Sequence, residues 1–555
     1  MKYIIIGAVA GGASTAARLR RLDEHAEIII FERGAYISYA NCGLPYYIGN
    51  VITERNKLFV QTAAAFNTRF NIDVRVRTEV ISIDAEHKTI TATNLETGET
   101  YREVYDKLVL SPGAEPLRPP IPGINNEGIF TLRNVTDTDT IKKFVTTTKA
   151  KKAIVVGAGF IGLEMAENFH HLGMDVSVVE MGNQILAPVD YPIAAIVQQH
   201  MRSKGIYLHL NTAVTGFSKE NDILKVTLKN GNQLEADIVI LSIGVRPDTK
   251  LAVSANLTLG PANGIWVNEF MQTSNKDIYA VGDAIEFTNP ITQQSMITYL
   301  AGPANKQGRI CANNIVLGNK QSYKGAINNA IVKVFDMTVG TAGTAAKHLA
   351  AANIPYVVST THNGSHAGYY PNAKQMSIQI AFSPADGRLY SAQIAGYEGV
   401  DKRLDILAGI IKNNGTIEDL MEFEHAYAPP YSSAKDPVNM AGFVADNIMQ
   451  KRLSVFYWNE TTNIPPTALL IDVRRPDEFE KGNIQHAINI PVDELRNRLN
   501  EIPTNTPIYI YCEAGLRGYL AHRILKQNGF NEVFNLSGGY YLWQSCTAEQ
   551  QLLDM

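Results

Sequence analysis

The sequence predicts a multidomain α/β protein, and three observations predict it. The chain has 555 residues, which at roughly 100–200 residues per domain means three to five domains. A buried strand, a glycine-rich turn, a helix and a second buried strand follow one another at the N-terminus, and the same series returns about 150 residues later. The last stretch of roughly 90 residues alternates strands and helices again, as a separate small α/β domain would.

Composition narrows the function classes. The chain is 45% hydrophobic and 19% charged, enough for packed cores and wrong for a disordered or low-complexity protein. A net charge of -4 leaves no basic footprint for nucleic acid or anionic membrane, so neither is expected as a partner. Four scattered cysteines (Cys42, Cys311, Cys512 and Cys546) are too few for a disulfide framework or a four-thiolate site, and no metal is expected. Met1 to Ala17 is apolar, but three glycines interrupt it and Arg18, Arg20 and Arg21 end it. A buried strand and turn are therefore expected there, not a signal peptide. No uninterrupted apolar run of about 18 residues occurs, so a soluble cytoplasmic protein with reduced thiols is expected.

The first unit is the strand Lys2 to Ile6, the turn Gly7-Ala8-Val9-Ala10-Gly11-Gly12, a helix to about Leu22, and the strand Glu27 to Phe31 ending at Glu32. The second is Ala153 to Val156, Gly157-Ala158-Gly159-Phe160-Ile161-Gly162, a helix to about Leu172, and Val176 to Val179 ending at Glu180. Both are Rossmann-like dinucleotide-binding units, so one chain is expected to hold two nucleotides. The first glycine makes the tight turn, the second lets a pyrophosphate approach the backbone, and the third lets helix pack on strand. In the first unit Val9 takes the place of the middle glycine. Glu32 and Glu180 stand where a carboxylate bonds a ribose hydroxyl. A 2′-phosphate would be repelled by Glu180, which favours NADH over NADPH, though an acid at a strand end is also ordinary surface. The run Thr273 to Asp283 ends a strand in Gly282-Asp283, which places a carboxylate against a cofactor hydroxyl or simply turns the chain.

Texture changes near Gly325 and again near Lys451–Pro466. Residues 1–149 with 246–324 are expected to make one dinucleotide domain, and 150–245 the other. Residues 325–450 read as α+β, with strands at Ile331–Phe335 and Met376–Phe382 and helices near Lys402–Lys412. Residues 451–465 are expected to be a linker, and 466–555 the last domain.

Two cysteines lie in telling contexts. Cys42 stands in Ser38-Tyr39-Ala40-Asn41-Cys42-Gly43-Leu44-Pro45-Tyr46, with no second cysteine within four residues. A lone cysteine is more often a small buried apolar residue than a nucleophile, but its flanks and its place after the first unit argue otherwise. Cys512 ends the strand-like run Ile508 to Tyr511 and precedes Glu513-Ala514-Gly515-Leu516-Arg517-Gly518. There the N–H groups of a loop and helix start can hold a thiolate or persulfide sulfur. Cys311, in a helix over Asn305 to Ile315, and Cys546 are read as structural.

With these motifs, together with His425-Ala426-Tyr427-Ala428-Pro429-Pro430-Tyr431-Ser432-Ser433-Ala434-Lys435-Asp436-Pro437, nearly the whole chain resembles the single-cysteine branch of the pyridine nucleotide-disulfide oxidoreductases. It is similar in particular to coenzyme A disulfide reductases fused to a rhodanese domain, relatives that include NADH-dependent persulfide and polysulfide reductases. The resemblance implies two Rossmann-like domains, an α+β dimerisation domain and a C-terminal α/β rhodanese domain. It implies FAD held by Gly7, Val9, Ala10, Gly11, Gly12, Glu32, Arg33, Asn41, Asp283 and Ala301, and NADH (NADPH possible) at Gly157, Gly159, Gly162 and Glu180. Coenzyme A, as substrate or as a mixed disulfide on Cys42, would meet Ser14, Arg18, Arg21, Ser38, Asn41 and Lys435; arginine forks suit its phosphates. Tyr427 and Tyr369, the latter beside an equally eligible Tyr370, would reach the site from the partner subunit of a homodimer and donate to a departing sulfur. Small thiols, disulfides and persulfides are the implied partners. The six residues from Cys512 to Arg517, with Asp472-Val473-Arg474 upstream, match a sulfurtransferase loop; the related phosphatase loop is one residue longer. Glu513 disfavours a small dianion as donor there, and Arg517 is expected to offset its charge. Two rivals remain: a water-forming NADH oxidase of the same architecture, in which Cys42 cycles through a sulfenic acid, and a sulfur-carrier protein whose flavoprotein half only senses redox state.

Overall fold

The computed structural model describes residues 1–554. It divides into two compact units, Met1–Met181 with Thr212–Asn328, and Gly182–Asn211 with Asn329–Met555.

The first unit is organised by two parallel sheets. In one, the strands run in the order Ile278–Ala280, Lys107–Leu110, Lys2–Ile6, Glu27–Phe31, Asp73–Arg75. The apolar runs predicted the strands Lys2–Ile6 and Glu27–Phe31 but not the order of the sheet; Ile4, Ile5, Ile30, Leu108 and Ile278 are all buried, as strands covered on both faces must be. Lys2 pairs with Glu27 and Ile6 with Phe31, so Gly7 and Glu32 emerge side by side at the carboxyl edge, where open α/β sheets bind ligands. The other sheet places Asp175–Val179, Lys152–Val156, Ile238–Leu241 and Ile129–Phe130 in parallel order. Ile129–Phe130 thus joins the second nucleotide sheet, although the sequence boundary at 149 puts it with the first. Two three-stranded antiparallel sheets, 78–104 and 214–236, also belong to this unit.

The second unit carries an antiparallel sheet in the order Ala330–Val334, Met337–Gly343, Leu389–Gly396, Gln375–Phe382, Val357–Gly364, packed by the helix Val400–Lys412. Its C-terminal part is a parallel sheet, Val455–Phe456, Val533–Leu536, Ile508–Tyr511, Leu469–Asp472, Ile488–Asn489. Here the structure corrects the expected linker. Val455–Phe456 pairs with Asn535–Leu536, Phe456 is buried, the Tyr457 hydroxyl donates to the Val358 carbonyl at 3.1 Å, and Trp458 stacks on Tyr191 at 5.3 Å. An aromatic run has too much apolar area to stay a solvated spacer, so it becomes an edge strand and a seam. The seam extends to the helix Gly539–Asp554, whose buried Glu549 accepts from Gln198 Nε2 at 2.9 Å and Arg202 Nε at 3.1 Å, both on the helix Tyr191–Ser203. No helix of the described residues is long and apolar enough to cross a membrane.

Candidate active site

The carboxyl edge of the first sheet opens into a cavity of about 500 Å³. Gly7, Val9, Ala10, Gly11, Glu32, Arg33, Asn41, Cys42, Asp283 and Ala301 all line it. Gly12 does not; it works behind the wall. A Cβ on Gly12 would sit 1.8 Å from the Gly7 carbonyl oxygen, so glycine there lets the helix Ala10–Leu22 close on the strand before it. Gly7 has φ +96°, and a Cβ would fall 2.1 Å from the Ser111 oxygen. Val9 causes no such conflict: its φ of -100° is open to any residue, which is why valine is tolerated at the middle position. Glu32 accepts from the Ala8 N–H at 3.0 Å and the Gly34 N–H at 2.7 Å, tying the strand end to the glycine turn. Burial pushes Asp283 up to about 6, with Arg133 opposing, so a neighbouring hydroxyl would find a carboxyl poorly served by water. These residues fit a flavin dinucleotide.

The second glycine turn repeats the logic. Gly157 has φ +99° and Gly162 has its Cβ direction 2.1 Å from the Gly157 carbonyl oxygen, so both must be glycine. Gly159 faces open space, with nothing within 4 Å of a Cβ, which suits a pyrophosphate crossing the backbone. The Glu180 carboxylate accepts from the Ala158 N–H at 2.8 Å, as Glu32 does in the first unit.

Cys42 lies in the short turn Asn41–Gly43 ahead of the helix Leu44–Ile48 and is exposed on the cavity wall. The enclosing walls push its thiol up by desolvation, and the negative charges of Glu164 and Asp283 push it further. Glu164 escaped the sequence analysis. Burial pushes it up to about 7, opposed by the Tyr46 hydroxyl, which donates to it at 3.3 Å. Its signal was present in the sequence: one acid inside the apolar run Phe160-Ile161-Gly162-Leu163-Glu164-Met165-Ala166. Ser38, held at φ +44° with its N–H on the Ala8 carbonyl at 2.8 Å, fastens the Cys42 segment to the glycine turn.

Along the first helix, Ser14 Oγ donates to Asn305 Oδ1 and Arg18 Nε donates to Asn313 Oδ1 at 2.8 Å. Burial and the nearby Arg309 and Arg21 push the Arg18 guanidinium down, marking a cluster of like charges that would welcome an anion. Arg309 could not be read from sequence, because only packing of Ala10–Leu22 on Ala301–Leu317 brings it beside Arg18.

In the second unit the hydroxyls of Tyr369 and Tyr427 meet at 2.7 Å and both residues are exposed. Their bond pushes Tyr369 up. Tyr370 instead packs edge-on against His366, ring centroids 5.6 Å apart. Lys435 is exposed and next to Asp436, which is locked to the buried Arg403 at 2.8 Å.

Cys512 is buried at the end of Ile508–Tyr511, and the Gly515 N–H donates to its Sγ at 3.0 Å. Gly515 has φ +117°, a conformation that suits glycine in this loop. One expectation fails here. Arg517 does not offset Glu513: its fork holds Glu478 at 2.6 and 2.7 Å, keeping that carboxyl down at about 2. Glu513 is met at 2.9 Å by Arg474, itself anchored at 2.8 Å on the buried Asp472. The carboxylate of Glu478 is simply better placed for a bidentate pair than the loop acid is. Cys311 and Cys546 are buried, and burial alone pushes both thiols up. Among the described residues no group of three or more His, Cys, Asp or Glu could hold a metal ion.

Two glycine turns at the ends of two parallel sheets, with a thiol on the wall of the first cavity, define a flavoprotein oxidoreductase that works with a pyridine nucleotide. The chain belongs to the pyridine nucleotide-disulphide oxidoreductase family, whose profile matches residues 1–308. The dimerisation domain of that family matches 329–437, and a rhodanese-like domain matches 459–546. The chain is 38% identical over 444 residues to the coenzyme A disulfide reductase of Staphylococcus epidermidis, covering 80% of this chain and 99% of the relative. It is 49% identical to reduced CoADR-RHD of Bacillus anthracis, covering 99% of this chain and 98% of the other at a TM-score of 0.97. A NAD-dependent persulfide reductase from A. fulgidus is 36% identical, with 98% and 100% covered and a TM-score of 0.92.

Proposed function

We propose that this protein is an NADH-dependent flavoenzyme that reduces a disulfide or persulfide of coenzyme A, or of a similar small thiol, through Cys42 alone. One observation carries the reading: Cys42 is the thiol on the cavity wall, while the other three cysteines are buried elsewhere. With no protein partner to form an internal disulfide, the second sulfur must come from the substrate. Cys42 Sγ, as thiolate, attacks one sulfur of the substrate, forms a mixed disulfide, and releases the other sulfur as thiolate or hydrosulfide. When bound, FAD supplies the electron pair, drawn from NADH, that cleaves the mixed disulfide and restores the Cys42 thiolate. Glu32 and Asp283 would hold hydroxyls of the flavin dinucleotide, and Gly157–Gly162 with Glu180 would hold NADH.

The basic cluster of Arg18, Arg21 and Arg309 supports a phosphate-bearing thiol such as coenzyme A. The paired hydroxyls of Tyr369 and Tyr427 form a donor couple that, in a homodimer, serves the partner's departing sulfur. Tyr369 rather than Tyr370 is assigned because Tyr370 is turned onto His366. Cys512 takes up or relays sulfane sulfur for the same chemistry. Four free cysteines suit a reducing cytoplasm. Mass spectrometry of the intact protein as purified tests the reading directly. Coenzyme A attached at Cys42 supports both carrier and nucleophile; a thiol adduct found only on another cysteine overturns it.

A further inference from the structure

The loop around Cys512 is braced from outside its own sheet. The N–H of Tyr540 donates to the Cys512 carbonyl at 2.8 Å, and the N–H of Tyr541 to the Glu513 carbonyl at 3.1 Å. Both come from the start of the helix Gly539–Asp554. These bonds engage the two loop carbonyls, while the Gly515 N–H donates to Sγ. The approach is tight: a Cβ on Gly539 would lie 2.6 Å from both loop carbonyl oxygens. The position of the Gly538–Gly539 pair therefore sets the shape of the loop.

That pair is held by a residue of the antiparallel sheet. His362, on the strand Val357–Gly364, has Nε2 3.0 Å from the Gly538 carbonyl oxygen and Nδ1 2.8 Å from Ser377 Oγ on the neighbouring strand. A carbonyl can only accept, so Nε2 carries the proton and Nδ1 accepts from the serine hydroxyl. Packing pushes the ring down to about 4, which keeps it in this neutral form. The His362 and Tyr541 rings also pack in a T-shaped pair, centroids 5.1 Å apart.

We propose that His362 is a positioning residue for sulfur transfer at Cys512, holding the Gly538 peptide so that the Cys512 loop keeps the Gly515 N–H on the sulfur. The proposal rests on the reading of Cys512 as a sulfur acceptor. A rhodanese-like domain joined by a slack tether would not need this bond. Here the sheet of the dimerisation domain contributes it, so the loop's geometry depends on both.

The test uses the full-length holoenzyme and two variants, His362→Ala and His362→Gln; the glutamine amide can donate near where Nε2 does. Glutathione persulfide loads Cys512, whose thiolate takes the donor's outer sulfur; the new S–S bond forms as the old one breaks and glutathione thiolate leaves. Peptide mass spectrometry follows loading against donor concentration. We expect the maximum rate to fall about tenfold in His362→Ala, with the half-saturating concentration within twofold, because the donor still binds but the loop is misplaced. His362→Gln should recover at least half the lost rate. NADH-linked reduction of coenzyme A disulfide should stay within twofold in both variants. Unchanged loading in His362→Ala overturns the proposal. So does failure of glutamine to rescue, which would make the ring's bulk the cause, and so does equal loss of the reductase activity. If the parent itself loads no sulfur, the sulfur-acceptor reading fails. The brace is then tested by the iodoacetamide alkylation rate of Cys512, which must differ more than threefold in His362→Ala and not in His362→Gln, or it falls as well.

Discussion

Cys42 and Cys512 each stand in a turn ahead of a helix, and their surroundings are opposite. Cys42 is exposed on a cavity wall, where desolvation and then the carboxylates of Glu164 and Asp283 push the thiol up. Cys512 is buried, takes an N–H from Gly515 onto its sulfur, and has the nearby arginines already committed to Glu478, Asp472 and Glu513. Burial alone does not tell a working thiol from a structural one; what faces the sulfur does. Cys311 and Cys546 are buried as well, and for them burial is the sole cause that pushes the thiol up. A thiol beside a cavity suits exchange with a cofactor and a visiting disulfide. A thiol that takes a loop N–H onto its sulfur suits holding one extra sulfur.

The sharpest way to break the contrast is Cys42→Ser. Reduction of coenzyme A disulfide should fall by about 10³-fold or more, with FAD still bound, since the contacts proposed for the flavin are those of the glycine turn, Glu32 and Asp283. The visible flavin spectrum and NADH consumption read the two halves of that expectation. Turnover near the parent rate would remove Cys42 from the chemistry. Oxygen uptake with NADH alone, at a rate matching disulfide reduction, would favour the oxidase alternative.

The nucleotide preference should show the next largest effect. Glu180, fastened to the Ala158 N–H, would meet a 2′-phosphate with its carboxylate. We expect kcat/KM for NADH to exceed that for NADPH by about tenfold or more, and a clear NADPH preference in the same buffer contradicts the assignment.

Cys512→Ser sharpens the division of labour. Coenzyme A disulfide reduction should stay within about twofold, because in the proposed cycle Cys42 and the flavin suffice for that bond, while turnover with bulky persulfide or polysulfide donors should fall several-fold, to about a third or less. Equal loss on both substrates would place Cys512 on the main electron path, and no loss on either would give its domain a different partner.

The smallest effect is electrostatic. Glu164→Gln removes a negative charge that opposes the Cys42 thiolate, so the pH profile of Cys42 alkylation by iodoacetamide should move to lower pH. Burial pushes Glu164 itself up to about 7, so parent and variant should diverge mainly above that pH. The same residue links pH to stability. Its proton is held more tightly in the folded chain than at the ordinary value of 4.5. The stability it contributes is therefore full below that value and lost as pH rises through about 7. Glu164→Gln should flatten the decline of Tm over that interval; an unchanged slope would dismiss the linkage.

Local rules made much of the protein legible from sequence. The glycine turns, their strands and the acids Glu32 and Glu180 are consecutive in the chain and obey short-range sterics: only glycine fits where a Cβ would strike the Gly7 or Ser111 oxygens. The α/β architecture followed from apolar runs of strand length, and Cys512 was marked by the strand and glycine loop that flank it. Other features depend on residues far apart in sequence that only packing brings together. Glu164 reaches the Tyr46 hydroxyl across 118 positions and Arg309 joins Arg18 across two helices, so no local pattern announces either. Arg517 and Glu513 are four positions apart, yet each is paired elsewhere, because an ion pair is decided by where a guanidinium fork can meet a carboxylate in three dimensions. The expected linker failed for a related reason: whether an aromatic run is a tether or an edge strand depends on the free sheet edge waiting for it, here that of Val533–Leu536. Sequence alone determined which chemistry the chain could carry, since that lies in residue types at fixed short spacings. Tertiary structure alone decided which charges face each sulfur and what holds each loop, since those are set by long-range packing.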